Sequence, residues 1–459
     1  MKISLLTLSF ALLMSWGLHA ISLDESIAMA KMNNKSLLMA MEDVKKAEQT
    51  YNDVRGSLLP QLSLQGAYGL SKTYYPDSSI PEKVSFSDGL DDTATDNDEY
   101  LTGVIESVVN SMIPSSPAPQ GSFALQLKMD QVLFLGGKLI NGIKAVDRFR
   151  SIQKLRYKMQ EQEVVLSTTQ LYYQCMLAKK LWDVQKDGLE IANRHLQRVE
   201  LFQSEGQVSE FDVLRARLEV AKLQPQVLQA ENMFSLALAA FRKQIGTEDV
   251  SVMPEGDFLL PPENVISLEA ATNMGLSNRT ELELVDINTQ IMQIRYNAEK
   301  GNYLPNVALS ADYSLFTAAD EYAIQRDDFG SKYGLSIGFQ IPLFTGFSNT
   351  AKRRYALYDH QQAKLQQRDT QELIALQIKQ DHQNLSHAWE NYAVQAENIR
   401  LADRSLELAQ VRYDNKVGIQ LEVFDAQIMR QAIQLQYFQA IYEIIMADSN
   451  FKKSVGINL

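Results

Sequence analysis

The sequence has little cysteine and few histidines, and neither residue forms a recognisable metal or catalytic pattern. Among 459 residues Cys175 is the single cysteine, so an intrachain disulfide framework is excluded. Of five histidines, His382 and His387 are five residues apart, which places their side chains on different helix faces and excludes the usual zinc pair. We therefore expect the histidines to be solvated helix residues, and we predict a protein that is not an enzyme and holds no cofactor.

Long apolar runs are absent after residue 20, and so is an excess of positive charge. No later stretch reaches the about 18 apolar residues that a membrane-spanning helix needs, so membrane contact requires strands or a surface helix. The formal net charge of −12 argues against nucleic acid as a partner. The first twenty residues have the pattern of an export signal, with Lys2, an apolar segment, and small residues before a cut after Gly17 or Ala20. We predict a signal peptide over 1–20.

The rest of the sequence contains two related halves. "ISLDESIAMA" resembles "ISLEAATNMG", and "SLLPQLSLQGAY" resembles "NYLPNVALSADY", both at a shift of 245 residues. "VLFLGG" resembles "PLFTGF", and "FRKQIG" resembles "FKKSVG", both at a shift of 210 residues, so the first half carries an insertion of 35 residues. We predict repeat 1 over 21–246, a linker over 247–265 and repeat 2 over 266–459.

Each half contains two strand patterns in which apolar and polar residues alternate, giving each strand one apolar and one polar face. The predicted strands lie at about 61–70, 122–133, 306–315 and 332–342. Strands of about ten residues cross a bilayer when tilted, and this alternation suits a barrel with a polar interior. A soluble sandwich would use similar strands, but export and the lack of an apolar helix favour the barrel.

Long helical segments follow the strands, and each has a coiled-coil seam with alternating spacings of four and three. The seam residues are Leu171, Cys175, Ala178, Trp182, Gln185, Leu189, Ala192, Leu196 and Val199 in the first half, and Leu385, Ala388, Tyr392, Gln395, Ile399, Ala402, Leu406 and Ala409 in the second. Polar tips near 204–209 and 414–420 divide the segments into helical hairpins at about 138–246 and 348–456. Pro225 occurs in the first hairpin only, where we expect a kink.

The insertion combines an acidic run, Asp88 to Glu99, with a run rich in proline and serine, Met112 to Gly121. Both predict loops, with one short helix from Tyr100 to Asn110. Clustered carboxylates are ligands that calcium uses, but their spacing fits no recognised calcium loop. A solvated surface loop is the expected structure of the acidic run.

Four spanning strands cannot close a barrel, because open edges in lipid leave backbone groups unpaired. Several chains must therefore contribute strands. Two copies would give eight strands around a lumen filled by side chains, whereas three copies would give twelve strands and room for a channel.

These features together resemble the TolC-type outer-membrane factors of tripartite efflux and type I secretion systems. The resemblance rests on the two "ISL" openings, the Leu-Pro junctions into the strands, the segments "FDVLRA" and "LEVFDA", and the strand-to-helix elbows "LFLGG" and "LFTGF", which contain Gly136, Gly137 and Gly346. It implies a mixed α and β fold, in which a homotrimer builds a twelve-stranded transmembrane β-barrel, with four strands per chain, continued by a long periplasmic α-helical coiled-coil barrel.

The implied function is that of a passive exit duct in the bacterial outer membrane, gated at its periplasmic helical tip. The partners implied by the resemblance are outer-membrane lipid, a periplasmic adaptor (membrane fusion) protein and an inner-membrane pump of the RND or ABC type.

The resemblance also assigns residues to the gate. Tyr413 takes the place of the family's gate tyrosine, and Glu422 and Asp425 take the places of two acids that surround the pore. Asp212 resembles an acid that forms a hydrogen bond between helices of the closed gate. Three copies of Glu422 and Asp425 would surround one constriction and favour cations, although such carboxylates also suit a solvated helix face. The tip residues expected to contact the adaptor are Gly206, Gln207, Val208, Val417 and Gly418.

Two other classes of protein remain open. An exported coiled-coil spacer of the cell envelope would explain the long helices and leave the four alternating strands unexplained. A surface adhesin or receptor barrel would explain the strands and the acidic loop, but not a helical hairpin in each half.

Overall fold

A computed structural model describes residues 19–72, 82–90, 94–113, 120–263, 266–319 and 324–457. Residues 1–18 of the predicted signal peptide lie outside the described residues. The strands are β1 (His19–Ile21), β2 (Gln61–Ser71), β3 (Gln120–Leu135), β4 (Val252–Pro254), β5 (Asn306–Ala319) and β6 (Gly330–Gln340). The helices are α1 (Leu23–Asn33), α2 (Lys35–Gly56), α3 (Asp96–Met112), α4 (Lys138–Ser204), α5 (Glu210–Ile245), α6 (Leu268–Asn278), α7 (Thr280–Lys300), α8 (Ser348–Asp414) and α9 (Gln420–Ser454).

The chain divides into two compact units. A sheet unit comprises the described residues of Asn52–Lys144 and Ile294–Tyr355, and a helical unit comprises the described residues of Met1–Tyr51, Ala145–Gln293 and Ala356–Leu459. In the sheet unit, β2, β3, β5 and β6 pair in that order, and every pair is antiparallel.

The register of the sheet brings apolar residues of all four strands into common rows. Leu64 pairs with Leu127, Leu127 with Tyr313, and Tyr313 with Tyr333. All four side chains are exposed, and Tyr333 retains 87% of its accessible surface. One face of the sheet is therefore an apolar surface that this single chain leaves uncovered.

The opposite face of the sheet is polar. Lys128 forms a 2.9 Å ion pair with Asp130, and the Ser310 hydroxyl on β5 donates a 2.9 Å hydrogen bond to the Asp130 carboxylate. Lys128 pairs in register with Asp312, which places a further carboxylate in the same region. Side chains of alternate positions therefore separate into one apolar and one charged surface, as a period of two requires.

The turn from each hairpin of strands into its long helix uses two residues in the left-handed backbone region. In the first half these are Gly136 (φ 62°) and Gly137 (φ 78°); in the second half they are Gly346 (φ 61°) and Phe347 (φ 64°). Left-handed backbone is unrestricted for glycine but sterically strained for a bulky residue. The second elbow thus has the conformation of the first with phenylalanine at its strained position.

The long helices have matching bounds in the two halves. Both α4 and α8 have 67 residues, and they begin at Lys138 and Ser348. Both α1 and α6 have 11 residues, and they begin at Leu23 and Leu268. These starts differ by the same 210 and 245 residues as the sequence matches. Pro225 lies inside α5, which continues through it to Ile245, and the expected kink stays a prediction.

The main core of the helical unit surrounds Tyr172 and Phe241, whose rings meet edge to face at 5.8 Å between centroids. The Tyr172 hydroxyl donates to the Glu255 carbonyl oxygen at 2.5 Å and lies 3.3 Å from the Ile21 carbonyl oxygen. It thereby fastens the parallel pair of β1 and β4 to the core. Burial of its phenol raises the pKa of Tyr172 to about 12.

Several sequence expectations differ from the structure. The histidines were expected to be solvated, which is wrong for His195 and His360, because packing leaves them only 8% and 7% exposed. The helix expected from Tyr100 to Asn110 is longer and spans Asp96–Met112, because the acidic residues before it form its capped first turn. Residues 91–93 of the acidic run lie outside the described residues.

The seam residue Cys175 is almost fully buried. Burial raises the pKa of the Cys175 thiol to about 12, so the thiol remains neutral at physiological pH. Among the described residues, no cluster of three or more His, Cys, Asp or Glu side chains has an arrangement for a metal ion. Within the same residues, no helix combines the length and apolar character needed to cross a membrane.

Candidate gate at the hairpin tips

The two hairpin tips share one backbone geometry. The Gln207 amide donates to the Phe202 carbonyl at 2.8 Å, and the Val417 amide donates to the Arg412 carbonyl at 2.9 Å. The left-handed residue of the first tip is Gly206 (φ 75°), and that of the second tip is Lys416 (φ 61°). The second tip therefore places lysine where the first has glycine, at the same 210-residue offset as the helices.

Gly418 of the second tip has a different structural role from Gly206 of the first tip. Its amide donates to the Arg412 carbonyl at 3.0 Å, and a Cβ added to Gly418 would lie 3.0 Å from the Arg412 Cβ. Gly418 thus permits a close approach to the end of α8, and the turn is made by Lys416.

Asp212 and Glu422, two of the residues assigned to the gate, occupy equivalent positions at the starts of α5 and α9. Asp212 accepts hydrogen bonds from the Ser209 amide (3.0 Å) and hydroxyl (2.7 Å), which is a capping box. Glu422 has Ile419 at the N-cap position, which offers no hydroxyl, and instead pairs with Arg412 at 3.3 Å. In each tip the carboxylate therefore stabilises the local turn of its own chain.

An ion pair and a histidine join the two hairpins near their tips. Arg198 on α4 forms a 2.6 Å ion pair with Asp414 at the end of α8. The His195 ring lies 4.8 Å from that of Phe424 and 5.5 Å from that of Tyr413. We call these five residues, together with Gln420, the inter-hairpin contact.

His195 is neutral in this contact. Burial and, to a smaller extent, the Arg198 charge lower the pKa of His195 to about 4, while the Asp414 charge opposes the shift. The Gln420 side-chain nitrogen lies 3.1 Å from His195 Nε2, and because an amide nitrogen can only donate, Nε2 accepts this hydrogen bond. A proton on Nε2 would remove that acceptor and place a charge beside Arg198.

Tyr413 is half-buried between the hairpins. Burial raises the pKa of Tyr413, and the nearby Asp212 charge raises it further, so the phenol remains a hydrogen-bond donor at neutral pH. Two of the predicted gate residues, Tyr413 and Asp212, are therefore close enough to interact electrostatically. Asp425 is an exposed residue of α9.

The expected adaptor-contacting tips are mostly accessible. Gly206, Gln207 and Val417 are exposed, and Gly418 is half-buried. Val208 is also half-buried and packs against the cluster formed by Val199, Val213, Ala216 and Phe424. Val208 therefore belongs at least in part to the packing of the tip.

A cavity of about 470 Å³ lies between the hairpins next to the inter-hairpin contact. Its charged lining residues are Arg194, Arg198, Arg430, Asp403, Glu407 and Asp414. Arg430 on α9 reaches Asp403 on α8 at 2.5 Å. The cavity wall thus carries opposite charges in equal number, several of them already paired.

The sequence did not identify His195, Arg198 or Asp414 as functional candidates. Their contacts join residues about 200 positions apart, and no local pattern relates such residues. The matching tip sequences of the two halves were the one sequence feature indicating that α4 and α8 end side by side.

Comparison with known proteins gives a consistent family. The family model described as "Outer membrane efflux protein" matches residues 26–247 and 272–456, which is most of the chain. The outer membrane efflux protein BepC of Brucella suis biovar 1 (strain 1330) is 22% identical over 346 residues, covering 72% of this chain and 71% of that protein. The outer membrane protein TolC of Salmonella enteritidis is 20% identical over 438 residues, covering 93% of this chain and 80% of that protein.

Solved structures show the same fold. The crystal structure of the Campylobacter jejuni CmeC outer membrane channel superposes with a TM-score of 0.75 at 15% identity. The match covers 95% of this chain and 85% of the CmeC chain. This similarity extends over both the strands and the long helices.

Proposed function

Since the chain belongs to the outer membrane efflux protein family, we propose that three copies form the passive exit duct of a tripartite efflux or type I secretion system. The protein is an outer-membrane channel of the efflux type, with helices in the periplasm. In this proposal residues 1–20 are removed on export, and the mature chain consists of two repeats joined by the linker 247–265.

The observation that carries the proposal is the sheet of each chain. Its apolar row of Leu64, Leu127, Tyr313 and Tyr333 is exposed across all four strands, and its charged residues lie on the other face. Its outer strands, β2 and β6, each pair on one side only among the described strands. Pairing β6 of one copy with β2 of the next, three times, would close a twelve-stranded barrel with its apolar face in lipid.

The long helices would form the periplasmic tunnel. A helix of 67 residues extends roughly 100 Å at 1.5 Å per residue. Three copies supply six hairpins, whose narrow seams of small and apolar residues suit packing of helix against helix. The coiled-coil spacer explains these helices but gives no use for an exposed apolar sheet.

The gate would lie at the hairpin tips, where Tyr413, Asp212 and the inter-hairpin contact hold each chain's hairpins together. A periplasmic adaptor would engage the exposed tip residues Gly206, Gln207 and Val417 and separate the hairpins. An inner-membrane pump of the RND or ABC type would supply the energy for transport, because the proposed duct is a passive channel.

The proposed trimer predicts a specific mass and a conductance. Detergent-purified mature protein, measured by light scattering with bound detergent subtracted, should have the mass of three chains, and it should form ion-conducting channels in planar bilayers. A monomer that stays soluble without detergent would contradict the proposal and favour the spacer, because a lipid-facing apolar sheet cannot remain monomeric in water.

Replacing Glu422 and Asp425 together by alanine should weaken the cation preference of the channel several-fold. The change would remove six carboxylates of the trimer from the proposed constriction, where they attract cations. The measurement is the reversal potential across a planar bilayer with a salt gradient.

A matched control is available on α8, where Asp369 and Glu372 are exposed carboxylates with the same spacing of three residues. Alanine at both control positions should leave the reversal potential unchanged. Unchanged selectivity in the Glu422→Ala, Asp425→Ala protein would place these carboxylates on an ordinary solvated helix face.

A further inference from the structure

The 35-residue insertion contains an amphipathic helix whose apolar stripe has no partner among the described residues of this chain. Along α3 the residues Leu101, Ile105, Val108 and Met112 follow spacings of four, three and four. They are 49–78% exposed. Such spacings are those of a coiled-coil seam, so the stripe has the geometry that a second helix fits.

The opposite side of α3 already has a local partner. The Asn110 side chain accepts from the Val84 amide (2.8 Å) and donates to the Val84 carbonyl (2.9 Å). One turn earlier, the Ser87 hydroxyl donates to the Glu106 carboxylate at 3.1 Å. The segment before α3 therefore contacts the polar side of the helix at Glu106 and Asn110, and it leaves the seam exposed to solvent.

The insertion is tethered at one end of the sheet. It leaves β2 after Ser71 and enters β3 at Gln120, and these two residues are paired in register. This end is opposite to the Gly136 elbow, where β3 continues into α4. In a closed barrel of three copies, three α3 helices would be tethered around one mouth.

Charge argues against a lipid surface as the partner of the seam. Residues 84–127 contain seven Asp and Glu residues and no Lys, Arg or His. Helices that lie on membranes usually carry Lys and Arg on their polar face, which attract anionic headgroups. Glu99 and Glu106 are seven residues apart and lie on the side of α3 away from the seam, so they would remain in water if two seams met.

We infer that the α3 seam packs against the α3 seams of the neighbouring copies, forming a parallel cluster of three helices at the end of the barrel opposite the Gly136 elbow. The inference rests on the proposed trimer. It adds an interface between copies that the barrel strands and the long helices do not supply. The contact is between the apolar side chains from Leu101 to Met112, and Glu99 and Glu106 remain on its outer side.

Cysteine cross-linking tests this interface in the full-length mature trimer. Val108→Cys places a thiol in the seam, where copies of one position face each other across a symmetric cluster. Gly103→Cys is the matched control, because Gly103 is exposed on the opposite side of the same helix and has open space for a side chain. The native Cys175 is buried and does not compete for the oxidant.

After mild oxidation, non-reducing electrophoresis should show disulfide-linked dimers for Val108→Cys and essentially none for Gly103→Cys. A symmetric trimer can link two of its three chains, so at most about two thirds of the chains should shift. The light-scattering mass of the same samples distinguishes a failure of the α3 cluster from a failure of the proposed trimer. A trimer without Val108→Cys dimers, or with equal dimer yields from both variants, overturns the α3 cluster while the duct stands, whereas a monomer overturns both.

Discussion

Gly136→Ala should lower the free energy of unfolding of the sheet unit by roughly 2–5 kcal/mol, the combined effect of backbone strain and overpacking. Gly136 has φ 62°, which costs an alanine conformational energy. A Cβ at Gly136 would also lie 2.2 Å from the Gly301 carbonyl oxygen, far inside van der Waals contact. The first elbow can tolerate neither effect without moving the turn that follows α7.

Two further glycines separate these effects. Gly346 has φ 61° and open space for a Cβ, so Gly346→Ala should report strain alone, about 1 kcal/mol. A Cβ at Gly301 would lie 2.2 Å from the Gly136 carbonyl oxygen, and the Gly301 backbone is not left-handed, so Gly301→Ala should report the clash alone.

The measurement is the midpoint of urea unfolding in detergent, followed by far-ultraviolet circular dichroism for all three variants. The order of destabilisation should be Gly136→Ala, then Gly301→Ala, then Gly346→Ala. Equal midpoints for Gly136→Ala and Gly346→Ala would show that the close approach at the first elbow does not limit stability.

The regular elements were accessible from sequence because their patterns are local. The alternation of Leu62, Leu64 and Tyr68 predicts a strand at 61–70, and the structure has β2 at Gln61–Ser71. The long proline-free segment after Lys138 predicts a helix, and α4 has 67 residues. The strand prediction uses the side-chain period of two, and the helix prediction uses the absence of proline, and neither pattern depends on the rest of the fold.

The unusual turn residues were less accessible. Residue type favours glycine for left-handed backbone, so Phe347 and Lys416 carried no signal of their own. Their position did carry one, because each lies 210 residues after a left-handed glycine of the first half, Gly137 or Gly206. In repeated chains, the conformation of one copy is thus a better guide to the other than residue type alone.

The coiled-coil seam in the sequence of α4 does not predict the burial of His195. Ala192, Leu196 and Val199 define a narrow stripe, and His195 lies beside it on α4. Phe424 of the other hairpin covers this neighbouring position, which widens the buried surface beyond a two-helix seam. Contacts between hairpins depend on how helices pack, and the sequence of one helix does not contain that information.

Lowering the pH from 7 to 5 should raise the ratio of separated to formed inter-hairpin contacts by roughly 20-fold per chain. This change corresponds to about 2 kcal/mol. The His195 pKa in the contact is about 4, below the ordinary value of 6.5 that an exposed imidazole would have after separation. Between these values the separated state binds more protons. The stabilising effect of neutral His195 is therefore complete above pH 6.5 and is lost as the pH falls toward 4.

The measurement is the fraction of time that single channels spend in a high-conductance state in planar bilayers at pH 7 and pH 5. His195→Gln should abolish the pH dependence, because glutamine keeps a polar side chain and does not titrate. His387→Gln is the matched control, since His387 is exposed on α8 and its replacement should leave the pH response unchanged. A full response to pH in His195→Gln channels would contradict this prediction. The protons would then be taken up by carboxylates of the inter-hairpin contact instead of by its buried imidazole.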